Sequence, residues 1–120
     1  MKKVAVMLAD GFEDVEALAT VDILRRAGMT VDMVSIKGEY VESAHNVIVK
    51  ADKLIDESLE NYDMIVCPGG LPGAEYLSKC ELLINTIKKF VKTAKETVKN
   101  KIHALEFPKN TEELKEKKVV

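Results

Sequence analysis

The sequence predicts an α/β domain built on a parallel sheet. Three observations lead to this prediction. A continuous, Val-rich apolar run covers Lys3–Leu8, a helical pattern starts at Glu13, and another short apolar run stops abruptly at Pro68-Gly69-Gly70. Strands that are apolar on both faces and connected by helices are typical of parallel sheets with right-handed crossovers.

The first half of the predicted sheet follows from the residues in chain order. Lys3–Leu8 predicts a buried strand, and Ala9 to Phe12 predict a turn. The next segment is predicted to be a helix because apolar residues recur every three positions, and Gly28 ends it after two Arg. The residues of this pattern are Val15, Leu18, Val21, Leu24 and Ala27. The segment 30–36 alternates β-branched and apolar residues, which favours a second strand.

The middle of the chain is predicted from shorter signals. Residues 37–40 are interpreted as a turn, and residues 47–49 as a short strand that could lie at a sheet edge. Residues 52–63 are interpreted as a connection that contains one helical turn. Residues 62–67 predict the strand before the glycine loop, with residues 64–67 as its apolar part.

The last part of the chain is predicted to be mainly helical. Helix is expected over residues 74–77, and a longer helix from Glu81 to about Ile102. The long helix has one apolar stripe, formed by Leu83, Ile87, Phe90, Val91, Ala94 and Val98. Ala104 to Phe107 could form a short strand, and Asn110 with Glu113 fits a helix start.

Composition excludes several classes of protein. The 120 residues correspond to one domain, with 47% hydrophobic residues, 32% charged residues and a net charge of −2. This balance gives no reason to expect nucleic acid or a membrane surface as partner. No apolar run is long enough for a transmembrane helix or a secretory signal, so a cytoplasmic location is expected.

The glycine loop after the third strand is the predicted functional region. Ligands of parallel α/β sheets bind at the carboxyl ends of strands, where Gly69, Gly70 and Gly73 lie. These glycines could form an anion-binding nest or simply a turn that needs glycine backbone angles. The GxxxxGK and GxGxxG spacings of nucleotide sites are absent, and no cofactor is expected.

A few ionisable residues are candidates for chemistry. Glu16, in the first turn of the first helix, could be a pocket carboxylate that relays a proton, or an acid favoured by the helix dipole. Glu13 and Asp14 are interpreted as ordinary helix-start acids. His45 and His103 are more readily interpreted as structural or surface residues.

The two cysteines give a weaker signal. Cys67 adjoins the glycine loop and is a weak candidate nucleophile, although a small buried strand residue is the simpler interpretation. Cys80, at a helix start, is interpreted as incidental. Two cysteines provide neither a disulfide framework nor metal-ligand spacing, and no metal is expected.

Several segments together resemble the ThiJ/PfpI superfamily. The motifs are KKVAVMLADGFEDVEALATVDILRRAGMTVDMVSI, SAHNVIVKADK and YDMIVCPGGLPGAEYL, which follow in order over about Met1 to Val91. The resemblance implies a flavodoxin-like three-layer sandwich, usually a homodimer. It also implies a site in which a helix glutamate holds a cysteine thiolate on a strand-to-helix elbow, beside backbone N–H groups that stabilise an oxyanion.

The resemblance assigns roles to particular residues. Glu16 corresponds to the family glutamate, Gly69 and Gly70 to the oxyanion-loop glycines, and His45 to a polar residue at the pocket wall on the dimer side. Reported family activities are glutathione-independent glyoxalase, deglycase, peptidase-like and chaperone activities. Small carbonyl compounds are therefore the expected substrates, and self-association is expected.

The sequence departs from the family after the long helix. Relatives continue with an apolar strand and an elbow that holds the cysteine, whereas residues 90–101 run on as a charged helical pattern. The chain thus resembles a family member that lacks the elbow segment and the C-terminal third. An exposed sheet edge is expected, which dimerisation, the long helix or residues 104–107 would cover.

Two functional hypotheses follow. The first is an enzyme lineage whose chemistry is impaired because the elbow cysteine is missing. The second is a non-catalytic, self-associating or partner-binding scaffold, with the stripe of the long helix as its interface. A phosphate or flavin binder is less favoured, because the chain has only three Phe, three Tyr and no Trp for stacking.

Overall fold

The computed structural model describes residues 2–103 and 118–120. In chain order the elements are β1 (Lys3–Leu8), α1 (Asp14–Arg26), β2 (Thr30–Ser35), β3 (Tyr40–Glu42), β4 (Ile48–Lys50), β5 (Lys53–Leu54), a 3-10 helix (Glu57–Asn61), β6 (Met64–Val66), α2 (Gly73–Ser78), α3 (Glu81–His103) and β7 (Lys118–Val119).

The central sheet is parallel throughout the described residues. Its strand order is β5-β2-β1-β6-β7, and each neighbouring pair is parallel. The chain moves outward from β1 to β2 and β5, and then returns to the other side of β1 with β6. The predicted α/β fold with a mostly parallel sheet is therefore confirmed, and β1 lies at its centre.

Burial of β1 on both faces produces the layered core. Side chains alternate across a strand, so Ala5 and Met7 point to one side while Val4, Val6 and Leu8 point to the other. The first group packs with Leu59, Tyr62, Leu83 and Phe90, and the second with Phe12, Ala17, Val21 and Val41. A continuous apolar run predicted this arrangement, because a strand covered on both faces has no polar side to expose.

The helices begin within one residue of their predicted starts, but Val15, the first residue of the predicted α1 pattern, is exposed. Glu13 caps α1, with its carboxylate accepting the N–H of Glu16 at 3.0 Å. The apolar stripe of α3 faces the sheet rather than solvent at its start, because Leu83 and Phe90 are buried and Ile87 packs against the same core. The start of the stripe is therefore part of the core, whereas Val91 is exposed.

The short strands differ from the sequence prediction. Residue 40 was assigned to a turn, but Tyr40–Glu42 pairs antiparallel with Ile48–Lys50, so the predicted strand at 47–49 is one residue too early and belongs to a hairpin. Lys53–Leu54 adds an edge strand that sequence patterns missed, because two residues carry no periodicity. The strands β2 and β6 end one residue earlier than predicted, at Ser35 and Val66.

The far edge of β6 is covered by a strand from the end of the described chain. Met64 and Ile65 pair in parallel with Lys118 and Val119, and the Val120 carbonyl accepts the N–H of Cys67 at 2.6 Å. This edge of β6 is therefore covered, as expected, but by Lys118 and Val119 and not by the expected segments. The predicted strand at 104–107 and the helix start at Asn110 and Glu113 lie outside the described residues.

No helix in the described part of the chain is long and apolar enough to span a bilayer.

A buried tyrosine ties β2 to the segment that precedes β6. The Tyr62 ring is 1% exposed, and its hydroxyl donates to a carboxylate oxygen of Asp32 at 2.5 Å. Burial, and then the neighbouring Asp32 carboxylate, raise the pKa of Tyr62 far above its ordinary value of 10.0. The folded protein therefore holds this phenol in its protonated, hydrogen-donating form.

Replacement of Tyr62 by Phe is expected to lower the free energy of unfolding by about 1–3 kcal/mol, because Asp32 loses its donor. A matched control is Tyr40→Phe, since Tyr40 is 63% exposed and its change is expected to have almost no effect. Urea unfolding of both variants at neutral pH measures the difference. Equal losses in the two variants would contradict this role of Tyr62.

The same hydrogen bond predicts a pH dependence at the alkaline end. The folded-state pKa of Tyr62 is raised, so the stabilisation is complete below pH 10 and is lost as pH rises above the ordinary value of 10.0. Urea unfolding between about pH 9 and pH 11 is expected to show a steeper loss for the parent chain than for Tyr62→Phe. Parallel pH profiles would contradict it.

Candidate active site

The candidate site lies at the carboxyl ends of β1 and β6. The chain leaves β1 through a turn at residues 9–12 and enters α1, and it leaves β6 through the loop at residues 67–72 and enters α2. Because β1 and β6 are parallel neighbours, both exits fall at the same edge of the sheet. This is where the strand order reverses, which is the usual ligand position in open α/β sheets.

Gly69 is attached to the start of α1 by two hydrogen bonds. Its N–H donates to Oε1 of Glu16 at 2.8 Å, and its carbonyl accepts the N–H of Glu13 at 2.9 Å. The carboxylate of Glu16 is thereby held against the glycine loop. The N–H of Gly69, which the family resemblance assigned to an oxyanion pocket, is already engaged by a carboxylate in this structure.

Gly70 allows the loop to lie directly against the turn that follows β1. Its φ is +101°, and a Cβ there would lie 2.5 Å from the Glu13 nitrogen and 2.6 Å from the Gly11 carbonyl oxygen. Both neighbours are backbone atoms, which cannot move aside like the end of a flexible side chain. Glycine at this position is therefore required for the contact between loop and turn.

Cys67 is a half-buried thiol at the start of the loop. It packs against the core cluster on the α3 side of the sheet, and burial raises the pKa of its thiol. A thiol with a raised pKa is almost entirely protonated at neutral pH and is a poor nucleophile. The simpler interpretation, a small core residue, agrees with this environment. Cys80 is half-buried and packs against the same cluster.

His45 contacts Asp14, the residue at the first position of α1. The His45 Nδ1 lies 3.0 Å from one carboxylate oxygen of Asp14, and the other oxygen accepts the hydroxyl of Ser43 at 2.6 Å. Hydrogen bonding to Asp14 and its negative charge raise the pKa of His45. The Ser43 hydroxyl lowers the pKa of Asp14 most, with His45 adding to the effect. These contacts hold the β3–β4 hairpin against α1.

Among the described residues, one group has the donor types of a metal site. Donor atoms of Glu13, Asp14 and His45 all lie within 4.8 Å of one another. However, the Glu13 carboxylate caps α1 and both Asp14 oxygens are engaged by Ser43 and His45. The positive end of the α1 dipole also disfavours a cation there. The group fits a hydrogen-bond network better than a metal site.

The structure brings together some of the predicted residues and separates others. Glu16 and Gly69 meet directly, and Gly70 lies on the same loop. His45 meets Asp14 rather than Glu16. Asp14 was interpreted as a helix-start acid only, and no sequence signal pairs it with a residue 31 positions away. The roles of these residues in catalysis stay predictions.

The fold places the chain in a structural class, and similarity to known sequences places it in a family. A parallel sheet between helical layers, with a glycine loop at the point of strand reversal, is the flavodoxin-like class of α/β domain. A model of the DJ-1/PfpI family matches residues 2–99. The chain therefore belongs to the DJ-1/PfpI family.

Relatives of known sequence support this assignment. The chain is 39% identical over 90 residues to Protein DJ-1 homolog A of Arabidopsis thaliana, a match that covers 73% of this chain and 23% of that protein. It is 33% identical over 90 residues to the Parkinson disease protein 7 homolog of Danio rerio, covering 72% of this chain and 48% of that protein.

Solved structures show the same fold. Oxidized Toxoplasma gondii DJ-1 superposes with a TM-score of 0.69 at 42% identity, covering 74% of this chain and 50% of that chain. A cysteine-to-alanine mutant of a DJ-1 superfamily protein from Salmonella typhimurium superposes with a TM-score of 0.70 at 37% identity, covering 74% and 49%. The chain thus spans about half the length of these structures, and less than half of these two curated relatives.

Three glycine substitutions are expected to differ in their cost to stability. They distinguish a glycine packed against backbone atoms, Gly70, from one packed against the Glu16 carboxylate, Gly69. Gly70→Ala is expected to destabilise the fold by at least about 2 kcal/mol, because its φ is positive and its Cβ would meet backbone atoms. Gly69→Ala is expected to cost less, about 1 kcal/mol, because its Cβ would meet Glu16 Oε1 at 2.9 Å and that side chain can move.

The control is Gly38→Ala, where a Cβ would meet no atom within 4 Å, and almost no change is expected. Urea unfolding of the three variants measures the order. A Gly70→Ala variant as stable as Gly38→Ala would contradict the contact between loop and turn.

Proposed function

We propose that this chain keeps the carboxylate and glycine-loop part of a DJ-1/PfpI site but lacks an activated nucleophile, so that its turnover of small carbonyl compounds is impaired. The observation that carries the proposal is the contact between Glu16 and the N–H of Gly69 at 2.8 Å. Full-length relatives are expected to act on such compounds through a cysteine beside the glutamate. Here Glu16 is held by the loop itself.

The chemistry of carbonyl attack explains why the thiol matters. A thiolate sulfur adds to the aldehyde carbon, and the carbonyl oxygen takes up a proton as the hemithioacetal forms. A carboxylate such as Glu16 can accept the thiol proton beforehand and deliver it afterwards. The proton transfer is useful only if a thiol near the carboxylate ionises easily.

Cys67, the thiol next to the glycine loop, does not meet this requirement. Burial raises the pKa of Cys67, and its side chain packs against the core. Proline follows Cys67 directly, where an exposed nucleophile needs a turn of small residues. Loss of a nucleophile commonly costs several orders of magnitude in rate.

A second candidate function is self-association or partner binding without catalysis. Exposed apolar side chains on α1 and on the β3–β4 hairpin favour it, since Val15 is 69% exposed, Ile23 63% and Ile48 65%. Contiguous apolar patches are typical of protein interfaces, and these side chains are the proposed members of one. We propose that a second copy of this chain binds this surface. We also propose a cytoplasmic location.

The experiment that tests the proposal measures methylglyoxal consumption by the purified, folded chain. We expect no consumption above buffer, and no further change in Glu16→Ala or Cys67→Ser. Labelling of Cys67 by a thiol reagent at neutral pH is expected to be slow in the folded chain and fast in urea, because the thiol is half-buried and protonated. Sedimentation velocity of the same sample measures self-association.

Matched controls make the outcome decisive. Cys80→Ser removes the other thiol, and Glu57→Ala removes an acid from the 3-10 helix, away from the loop. Consumption that Glu16→Ala and Cys67→Ser abolish, while Cys80→Ser and Glu57→Ala retain it, would contradict the proposal. It would show that Cys67 serves as the nucleophile.

A further inference from the structure

A cavity lies at the same edge of the sheet as the Glu16 region. It has a volume of about 450 Å³ and opens between the end of β1, the end of β2 and the outer side of α2. Ala9 and Ile36 come from the two strand ends, and Tyr76 and Cys80 come from α2 and its C-terminal side. Volumes of this size are typical of small-molecule pockets.

The cavity is separate from the Glu16 region. The turn after β1 packs against the start of α2, where a Cβ on Gly11 would lie 2.5 Å from the Pro72 ring and one on Gly73 would lie 2.8 Å from the Phe12 nitrogen. Glu16, Gly69 and Gly70 do not line it. The close backbone contact between turn and loop therefore forms a wall between the two regions.

The floor and the rim of the cavity differ in chemistry. The floor is apolar, because Ala9 is buried and both Ile36 and Cys80 are half-buried against the core. The ring of Tyr76 is 47% exposed and adds an aromatic wall. An apolar floor next to an aromatic ring favours a flat or aliphatic ligand body.

Two lysines and one carboxylate supply the charges of the lining. Lys37 pairs with Asp10 at 3.1 Å, and Lys79 pairs with Glu75 at 3.0 Å. A lysine ammonium has three N–H donors, and each of these two uses one donor in its ion pair. Asp10 also accepts the N–H of Glu42 at 3.1 Å, so its charge is already satisfied by two donors. The cations are the groups best able to bind a ligand charge.

We propose that this cavity binds a small organic anion, with an apolar or aromatic body on the floor formed by Ala9, Ile36 and Cys80 and a carboxylate or phosphate at Lys37 and Lys79. The anionic group would accept hydrogen bonds from the ammonium N–H groups of Lys37 and Lys79 that their ion pairs do not use. The ring of Tyr76 would cover the ligand body. This binding requires neither Glu16 nor a reactive thiol. It is therefore independent of the proposal for the Glu16 region.

The test is an NMR titration of the full chain with 2-naphthoate and, separately, with 2-naphthyl phosphate. Chemical-shift changes are expected at the amides of Ala9, Ile36 and Cys80, with saturation. Lys37→Gln and Lys79→Gln are each expected to weaken binding roughly two- to fivefold, because exposed charge pairs contribute little individually. The neutral analogue 2-naphthalenemethanol is expected to bind more weakly than either anion.

Controls separate this site from general attraction to a lysine. Lys89→Gln breaks a comparable ion pair with Glu60 on another part of the surface and is expected to leave binding unchanged. Filling the cavity with Cys80→Trp is expected to abolish binding in a chain whose circular dichroism remains that of the parent.

Two results would overturn the proposal. One is the absence of saturable shifts at Ala9, Ile36 and Cys80 with both anions. The other is binding that is equally strong for the neutral analogue or insensitive to both lysine changes. If the lysine changes weaken binding, a difference in affinity between 2-naphthoate and 2-naphthyl phosphate identifies which anionic group the site prefers.

Discussion

The attachment of Gly69 to the start of α1 is the interaction on which the rest of the site depends. Its carbonyl accepts the N–H of Glu13, and its N–H donates to the carboxylate of Glu16. One residue of the loop therefore contacts both the N-cap and the first turn of α1. The Glu13 carboxylate in turn caps the helix through the N–H of Glu16. Helix start, loop and carboxylate therefore form one connected unit at the carboxyl ends of β1 and β6.

That unit also separates the Glu16 region from the cavity at this edge. Gly70 and Gly73 let the loop approach the turn after β1 at backbone distance, which leaves Glu16 on one side of the contact and the cavity beside Lys37 and Lys79 on the other. A side chain at either glycine would push the two segments apart. The same close approach of loop and turn thus holds the Glu16 carboxylate in place and separates it from the cavity.

Long, regular elements were predictable from the sequence because their signals are local. The apolar run of β1, the helical period of α1 and the amphipathic pattern of α3 each extend over enough residues to specify an element. The β3–β4 hairpin was only half predicted, since its position depends on tertiary contacts such as Asp14 with Ser43 and Asp10 with the N–H of Glu42. Strand β7 has two residues and is specified by the edge of β6, not by its own pattern.

The candidate site was predictable only in part, for a similar reason. The family resemblance placed Glu16 beside the glycine loop, and the structure shows them in contact. The pairing of His45 with Asp14 joins residues far apart in sequence and has no periodic signal. The half-buried environment of Cys67 agrees with its interpretation as a small core residue, which its place at the end of an apolar run suggested.

The most direct test of the central claim is native-state hydrogen exchange of the Gly69 amide in the parent chain and in Glu16→Ala, with Glu57→Ala as control. A hydrogen bond to a carboxylate predicts that Gly69 is protected in the parent and that Glu16→Ala raises its exchange rate by about tenfold or more, while Glu57→Ala leaves it unchanged. A Gly69 amide that exchanges at the rate of an unprotected amide in the parent chain, or whose exchange rate is unchanged by the loss of Glu16, would contradict this claim.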